Sequence, residues 1–270
     1  MWYFHSLPLV DIKMKATFGI ILFFLIQSVY GQIHPIENWV KQNYKKIDST
    51  YGMNSIILKP EVQIIGFGEA SHGQRSFFEH KINSFKWLVE NEDYKIFALE
   101  AGFSEALKIN QYILYGQGSA KESLINLNYG VWQIEEFVKL IEWMRAYNMN
   151  KSSEVQIKFY GFDCQMSKGS VDYLKSVSHI IGYNFNYDEL SLLEDLLQLQ
   201  RIRDKRLAQR IYPLLSNFIT SFATRISDSD QDTTFKKTSL TVLNNLKYFC
   251  DTERNGENQN GLNRARFMAD

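Results

Sequence analysis

Cysteine is almost absent from this chain. Cys164 and Cys250 are the only two in 270 residues, which is too few for a disulfide framework or a cysteine-built zinc site. They could pair with one another, but two thiols without a motif read more simply as buried cysteines. Proline is also scarce, with four residues against 15 glycines, so collagen-like and proline-rich classes are excluded. Neither sign of charge dominates: 30 basic residues face 30 acidic ones. A dedicated nucleic-acid binder would need a basic surplus. A long apolar run is lacking too. The strongest stretch, from Ala16 to Ile26, falls well short of the roughly 20 residues a spanning helix needs. What remains is a composition of 45% hydrophobic and 22% charged residues, which describes an ordered globular chain of one large domain or two small ones.

The short apolar run has a use of its own. Lys13 and Lys15 precede it, and Val29 and Gly31 place small residues around a cut after Gly31. A charged start, a short apolar stretch and a small-residue cleavage site describe a secretory signal. Residues 1–31 are therefore expected to direct export, with 1–13 as extra sequence ahead of Met14. The protein is expected in the periplasm or outside the cell, with no stable membrane anchor. A buried strand or an uncleaved anchor is the competing reading of the same run.

Downstream, apolar spacing predicts a helix over 36–47 and another through Phe77, Phe78, Ile82, Phe85, Leu88 and Val89. Further helices are predicted over 103–115, from a Ser119/Glu122 capping signal, over 134–147 and over 169–181. Short β-branched or aromatic runs predict strands at 62–67, 95–99 and 155–160. This alternation implies an α/β fold, a parallel sheet covered by helices. From Asp188 to Cys250 leucine-rich helical periodicity takes over. Residues 251–260 read as a loop, and 261–270 begin a helix. The expected division is a catalytic α/β core over 32–183 and an added helical region over 184–270, with the sheet incomplete and the chain truncated at its C-terminus.

Ligands of open α/β sheets bind at the carboxyl ends of the strands. The first predicted strand runs into Gly68-Glu69-Ala70-Ser71-His72-Gly73, the second into Glu100-Ala101-Gly102, and the third into Gly161-Phe162-Asp163. Each brings a carboxylate to one edge, and the first adds a histidine. Gathering like charges costs free energy unless a proton, cation or substrate compensates, so a functional site is expected there. The structural alternative is that Glu69 and Asp163 cap the following helices. His72, in a glycine-flanked turn, titrates in the right range to take a proton from water. His80 reads as structural. A dinucleotide fingerprint fails because Ser71 replaces the third glycine and Glu69 would face a pyrophosphate. A serine triad fails because Ser71 adjoins His72 and no G-x-S-x-G elbow exists. A metal site from Glu69, His72 and Glu100 is chemically sensible, but lacks a second histidine in place.

Several segments together carry a resemblance. They are Gly68-Glu69-Ala70-Ser71-His72-Gly73, Phe77-Phe78-Glu79-x-Lys81, Phe97-Ala98-Leu99-Glu100-Ala101, Glu142-Trp143-Met144-Arg145-x-Tyr147-Asn148 and Phe159-Tyr160-Gly161-Phe162-Asp163-x-Gln165. In order and spacing they resemble the erythromycin esterase family, from about Trp39 to Asp270, with 184–250 matching loosely. The resemblance implies hydrolysis of a macrolactone or similar small-molecule ester, a role in antibiotic resistance, and no cofactor or essential metal. It implies His72 as general base with Glu69 and Glu100 beside it. Lys81, Arg75, Trp132 and Asp163 are expected to bind substrate, with Phe103 and Tyr129 joining Trp132 around an apolar cleft. The family's second histidine motif, Trp/Val-Ala-His-Asn-x-His, follows a segment resembling Arg264–Asp270 and is absent here, so little or no turnover is expected of this chain. Related folds include haem-binding proteins and metal-dependent peptidases, which keeps a haem- or metal-binding exported protein, or a metal-dependent hydrolase, as the alternative.

Overall fold

A computed structural model describes residues 37–39, 41–42, 58, 60–68, 71 and 73–255. The export segment, the helix onset at 261–270, and both Glu69 and His72 lie outside the described residues. The chain divides into two units, 1–51 and 52–270. In the first, residues 37–39 and 41–42 are helical and exposed, and Lys41 pairs with Glu37 at 2.7 Å.

In the second unit α1 spans Arg75–Asn91, β1 Ile96–Gly102, α2 Phe103–Tyr115, α3 Ala120–Asn126, a 3-10 turn Gly130–Trp132, α4 Glu135–Asn148 and β2 Lys158–Asp163. Then come α5 Lys168–Ile180, α6 Tyr187–Ile202, α7 Lys205–Asp228 and α8 Thr233–Asn255. The β1 and β2 strands pair in parallel, from Ile96 opposite Lys158 to Gly102 opposite Asp163. Parallel pairing across a helical crossover is the α/β arrangement the alternation implied. Gly161 is required by close approach: a Cβ there would lie 2.4 Å from the carbonyl oxygens of Ala101 and Gly102.

Three expectations are corrected. The strand expected at 155–160 runs from Lys158 to Asp163, and residues 155–157 form no strand. Residues 62–68 form no strand. Their β-branched composition favours an extended chain, but a strand needs a neighbour to fill its ladder. Here the Val62 carbonyl instead accepts the Tyr94 hydroxyl at 2.6 Å, and Ile64 is 89% exposed. Phe67 rests edge-on against His80. Residues 251–255, expected as loop, continue α8. Thr252 is buried there, Arg254 bonds Asp251, and Asn255 caps back onto the Asp251 carbonyl.

The sheet packs one face inward. Phe97, Leu99 and Phe159 are buried with Phe78, Phe85, Phe137 and Trp132 in an aromatic core, while Ile96, Ala98 and Glu100 lie on the exposed face. Edge-to-face and tilted ring pairs run through this core, Phe85 to Phe97 at 5.0 Å and Phe97 to Phe159 at 5.4 Å between centroids. The outward edge of β2 meets two helix asparagines. Asn110 donates to the Phe159 carbonyl and accepts its N–H (2.7 and 2.9 Å). Asn148 does the same at Ile157 (both 2.8 Å). These side chains give the strand the partners a neighbouring strand would supply.

A second core joins α5, α6, α7 and α8 through Leu174, Leu193, Leu196, Ile211, Phe222 and Leu246 among others. Its helices carry local start signals: a capping box between Asn186 and Glu189 on α6 and Asp204 accepting the Arg206 and Leu207 N–H groups on α7. The boundary between the two cores falls between β2 and α5. Cys164 and Cys250 are both buried and not joined in a disulfide, and burial pushes the Cys250 thiol up to about 12.

Candidate active site

The carboxyl ends of β1 and β2 lie side by side, which is where chemistry is expected on an open parallel sheet. Glu100 sits near the end of β1 on the exposed face. Its backbone is held from below: the Trp132 indole N–H donates to the Glu100 carbonyl at 3.3 Å. Trp132 is itself 3% exposed, edge-on to both Phe78 and Phe137 at 5.6 Å. It supports the strand end from inside the core.

Asp163 ends β2 and is buried. One carboxylate oxygen accepts the Cys164 N–H at 2.8 Å, and the other accepts the Gln165 side-chain amide. The carboxylate thus fastens the turn that follows its strand. Glu100 falls on the exposed side of β1 and Asp163 is buried at the end of β2, with the pairing register shifting between Leu99 and Gly102.

Arg75 opens α1 and lies in solvent. It bonds Glu79 at 2.8 Å and reaches Glu136 on α4 at 2.7 Å. The hydrogen bond to Glu79, then the charge of Glu136, hold its guanidinium above the ordinary value. With Glu79, Ile82, Asn83, Lys86, Glu136 and Lys139 it lines an open groove of about 250 Å³. Lys81 is partly buried on α1. Phe103 stacks on Tyr160 with rings 5° from parallel and borders the helical core, whereas Trp132 and Tyr129 belong to the aromatic core.

A buried acid escaped the sequence reading. Glu105, in the first turn of α2, is 3% exposed. Its Oε1 accepts the Gly169 N–H of α5 at 2.8 Å, and its Oε2 has no hydrogen-bond partner. Gly169 is needed at this contact, because a Cβ there would sit 2.7 Å from the Glu105 backbone nitrogen. Burial pushes the Glu105 carboxyl up, and nearby Asp172 adds to that. The Gly169 N–H, its own N–H and Lys168 oppose the rise. Its signal in the sequence was an acid in the first turn of α2, among residues the helix buries with Ala106, Ile109 and Ile113. Among the described residues, no group of three or more His, Cys, Asp or Glu is arranged to hold a metal ion. No described helix is long and apolar enough to cross a membrane.

Comparison with known proteins places these features. The chain is 25% identical to erythromycin esterase type II of Escherichia coli over 168 residues, 62% of this chain and 37% of that protein. It spans roughly a third of the length of the curated relatives it matches, 30% and 37%. A crystal structure of a Bacillus cereus protein superposes with a TM-score of 0.64 at 19% identity, covering 87% of this chain and 61% of the other. An erythromycin esterase EreC mutant in its open conformation superposes with a TM-score of 0.51 at 15% identity, covering 77% and 55%. The erythromycin esterase family model matches residues 89–270, a span that begins at the end of α1 and takes in both strands and the helical half, and the chain therefore belongs to the erythromycin esterase family.

Proposed function

We propose that this protein hydrolyses an ester of the macrolactone class at the carboxyl edge of β1. The observation that carries the reading is the position of Glu100: an exposed carboxylate near the end of a parallel strand, its backbone fixed by Trp132, within the span matched by the family. His72 acts as general base. It takes a proton from water, and the water oxygen attacks the ester carbonyl carbon. The tetrahedral intermediate then expels the alkoxide, which receives the proton back from the imidazolium, leaving a free acid and an alcohol. Glu69 and Glu100 favour the charged imidazolium. General-base help of this kind contributes about 10²–10⁴-fold in rate.

Lys81 and Arg75 line the approach as cations. Trp132 contributes by holding the Glu100 backbone, and Asp163 by holding the neighbouring strand end. The same reading assigns residues 1–31 to export, 32–183 to the catalytic core and 184–270 to a helical region, and it places ring opening in the periplasm or outside the cell, where it would inactivate a macrolide antibiotic. The test is incubation of purified protein, extended past residue 270 so that it carries the family's second histidine motif, with erythromycin and with simple aryl esters, followed by mass spectrometry. The expected product has gained one water. His72→Gln should lower turnover by about 10²–10⁴-fold while far-ultraviolet circular dichroism stays unchanged. Equal turnover by the variant would remove His72 from the mechanism, and no hydrolysis of any ester would remove the reading.

A further inference from the structure

A line of buried polar side chains crosses between the two cores at the strand ends. Ser104 opens α2 just after β1, Ser170 lies in the first turn of α5, and Asn245 sits midway along α8. All three are buried, Ser170 and Asn245 completely. The two hydroxyl oxygens are 2.6 Å apart. Ser170 donates to Asn245 Oδ1 at 2.8 Å, and Asn245 Nδ2 donates to the main-chain carbonyl of Asp163 at 3.1 Å.

The proton direction along this line is fixed by chemistry. The Asp163 carbonyl can only accept, so the amide must turn its NH₂ group toward it. Asn245 Oδ1 then faces Ser170, which must spend its one proton there. Ser104 must in turn donate to Ser170. Turning the amide over would set two acceptors against each other at the Asp163 end. One conformation of one side chain therefore ties the end of β2 to the α2 turn that follows β1, and the tie is made from the helical half. Beside it, Glu105 accepts the Gly169 N–H across the same seam.

We propose that Asn245 is a positioning residue, through which the helical half sets the relative placement of the two strand ends that carry the candidate site. It touches no reacting atom. Its effect runs through the Asp163 carbonyl and through Ser170 to Ser104, two residues beyond Gly102. This rests on the reading above only in taking the strand ends as the place of chemistry.

The experiment compares amide hydrogen exchange in the 270-residue chain for Asn245→Asp, Asn245→Ala, Ser104→Ala and a control, Leu215→Ala in α7. At pH 8 Asn245→Asp sets a carboxylate against the Asp163 carbonyl, and Asn245→Ala removes the amide donor to that carbonyl and the acceptor of the Ser170 proton, leaving Ser170 its bond with Ser104. Both should speed exchange at residues 102–106 and 163–170 by about tenfold or more, the size expected for an unmade buried hydrogen bond. Ser104→Ala spares the Asn245–Asp163 bond and should act on 102–106 alone. Leu215→Ala should loosen the helical core without singling out those segments. In ester hydrolysis, measured on the chain extended past residue 270, the Asn245 variants should lower kcat with KM unchanged. Unchanged exchange at the strand ends, or a uniform rise across the chain matching Leu215→Ala, would overturn the proposal. If Asn245→Asp fails to fold, Asn245→Ala and Ser104→Ala decide by the same segments. Absence of ester hydrolysis in every form would fall on the proposed function, while the exchange result still decides the role of Asn245.

Discussion

The two cores are built on different kinds of instruction. The sheet half closes by long-range side-chain contacts: Asn110 reaches 49 positions along the chain to Phe159, and Trp132 reaches 32 back to Glu100. The helical half starts its helices locally, with caps at Asn186 and Asp204 within three residues of the groups they satisfy and leucines at helical spacing along α6, and adds to these a few distant ties such as Ser170 to Asn245. A core made of distant contacts depends on each of them, whereas a core of self-starting helices spreads its stability over many interchangeable aliphatic contacts.

The largest effect should come from emptying the sheet core. Phe159→Ala removes a fully buried ring packed on Phe97 and should cost about 3–5 kcal/mol. Leu196→Ala, fully buried in the helical core, should fall toward the lower part of the range of about 2–5 kcal/mol. Urea titration of both variants tests the contrast, which fails if Leu196→Ala is the more damaging. Next comes Asn110→Ala, which leaves the Phe159 N–H and carbonyl unpaired together. At about 1–3 kcal/mol for each buried group, it should approach the loss of the phenyl ring itself. A cost below that of an ordinary surface substitution would show that water fills the gap.

These two residues also mark how far the sequence could be read. The helices between 75 and 180 and the helical character beyond residue 184 followed from periodicity, and the parallel pairing followed from the alternation of elements, although its strands run 96–102 and 158–163 rather than 95–99 and 155–160. The strand at 62–67 did not form, because composition reports the preference for extension but not the presence of a neighbour. Asn110 and Asn148 looked like polar interruptions on apolar helix faces, and nothing local says that each completes a strand edge. The position of Glu100 near the end of a parallel strand was legible from the strand prediction. The burial of Asp163 and the register shift between Leu99 and Gly102 show only in the structure, because neither leaves a local signal.

Glu105 should make the seam between the cores depend on pH. Its folded-state value is raised from the ordinary 4.5, first by burial. The folded chain therefore holds the proton more tightly than the unfolded chain does. The stability this contributes is full below the ordinary carboxyl range and is lost as pH rises through the raised value. The groups facing it are Lys168 and Asp172 on α5 and Lys108 on its own helix. Glu105→Gln keeps the shape and the bond from Gly169 but cannot ionise. It should flatten the decline of stability above the ordinary carboxyl range, measured as urea midpoint against pH. An unchanged slope would assign the decline to other groups. A smaller effect is expected in the helical half at Asp204→Ala, where loss of the α7 cap should cost about 1 kcal/mol and the neighbouring turns should hold the helix in place. A loss several times larger in thermal melts would mean that this half is less locally organised than its caps suggest.

The smallest effect on stability should come from Arg75, although its ion pairs are short. The residue lies in solvent, held by Glu79 on its own helix and Glu136 on α4. Exposed pairs of this kind gain little, because water and salt screen the charges and both long side chains lose freedom. Arg75→Ala should leave the melting temperature unchanged within error at any salt concentration. If Arg75 lines the approach to the Glu100 edge, the same variant should raise KM for the ester and leave kcat untouched, as expected when binding is lost equally from ground state and transition state. Added salt should raise the KM of the unmodified protein toward that of the variant for an anionic ester, and should not do so for a neutral one. A drop in melting temperature with KM unchanged would reverse the assignment and make Arg75 a fastener between α1 and α4, giving the sheet half one more long-range tie.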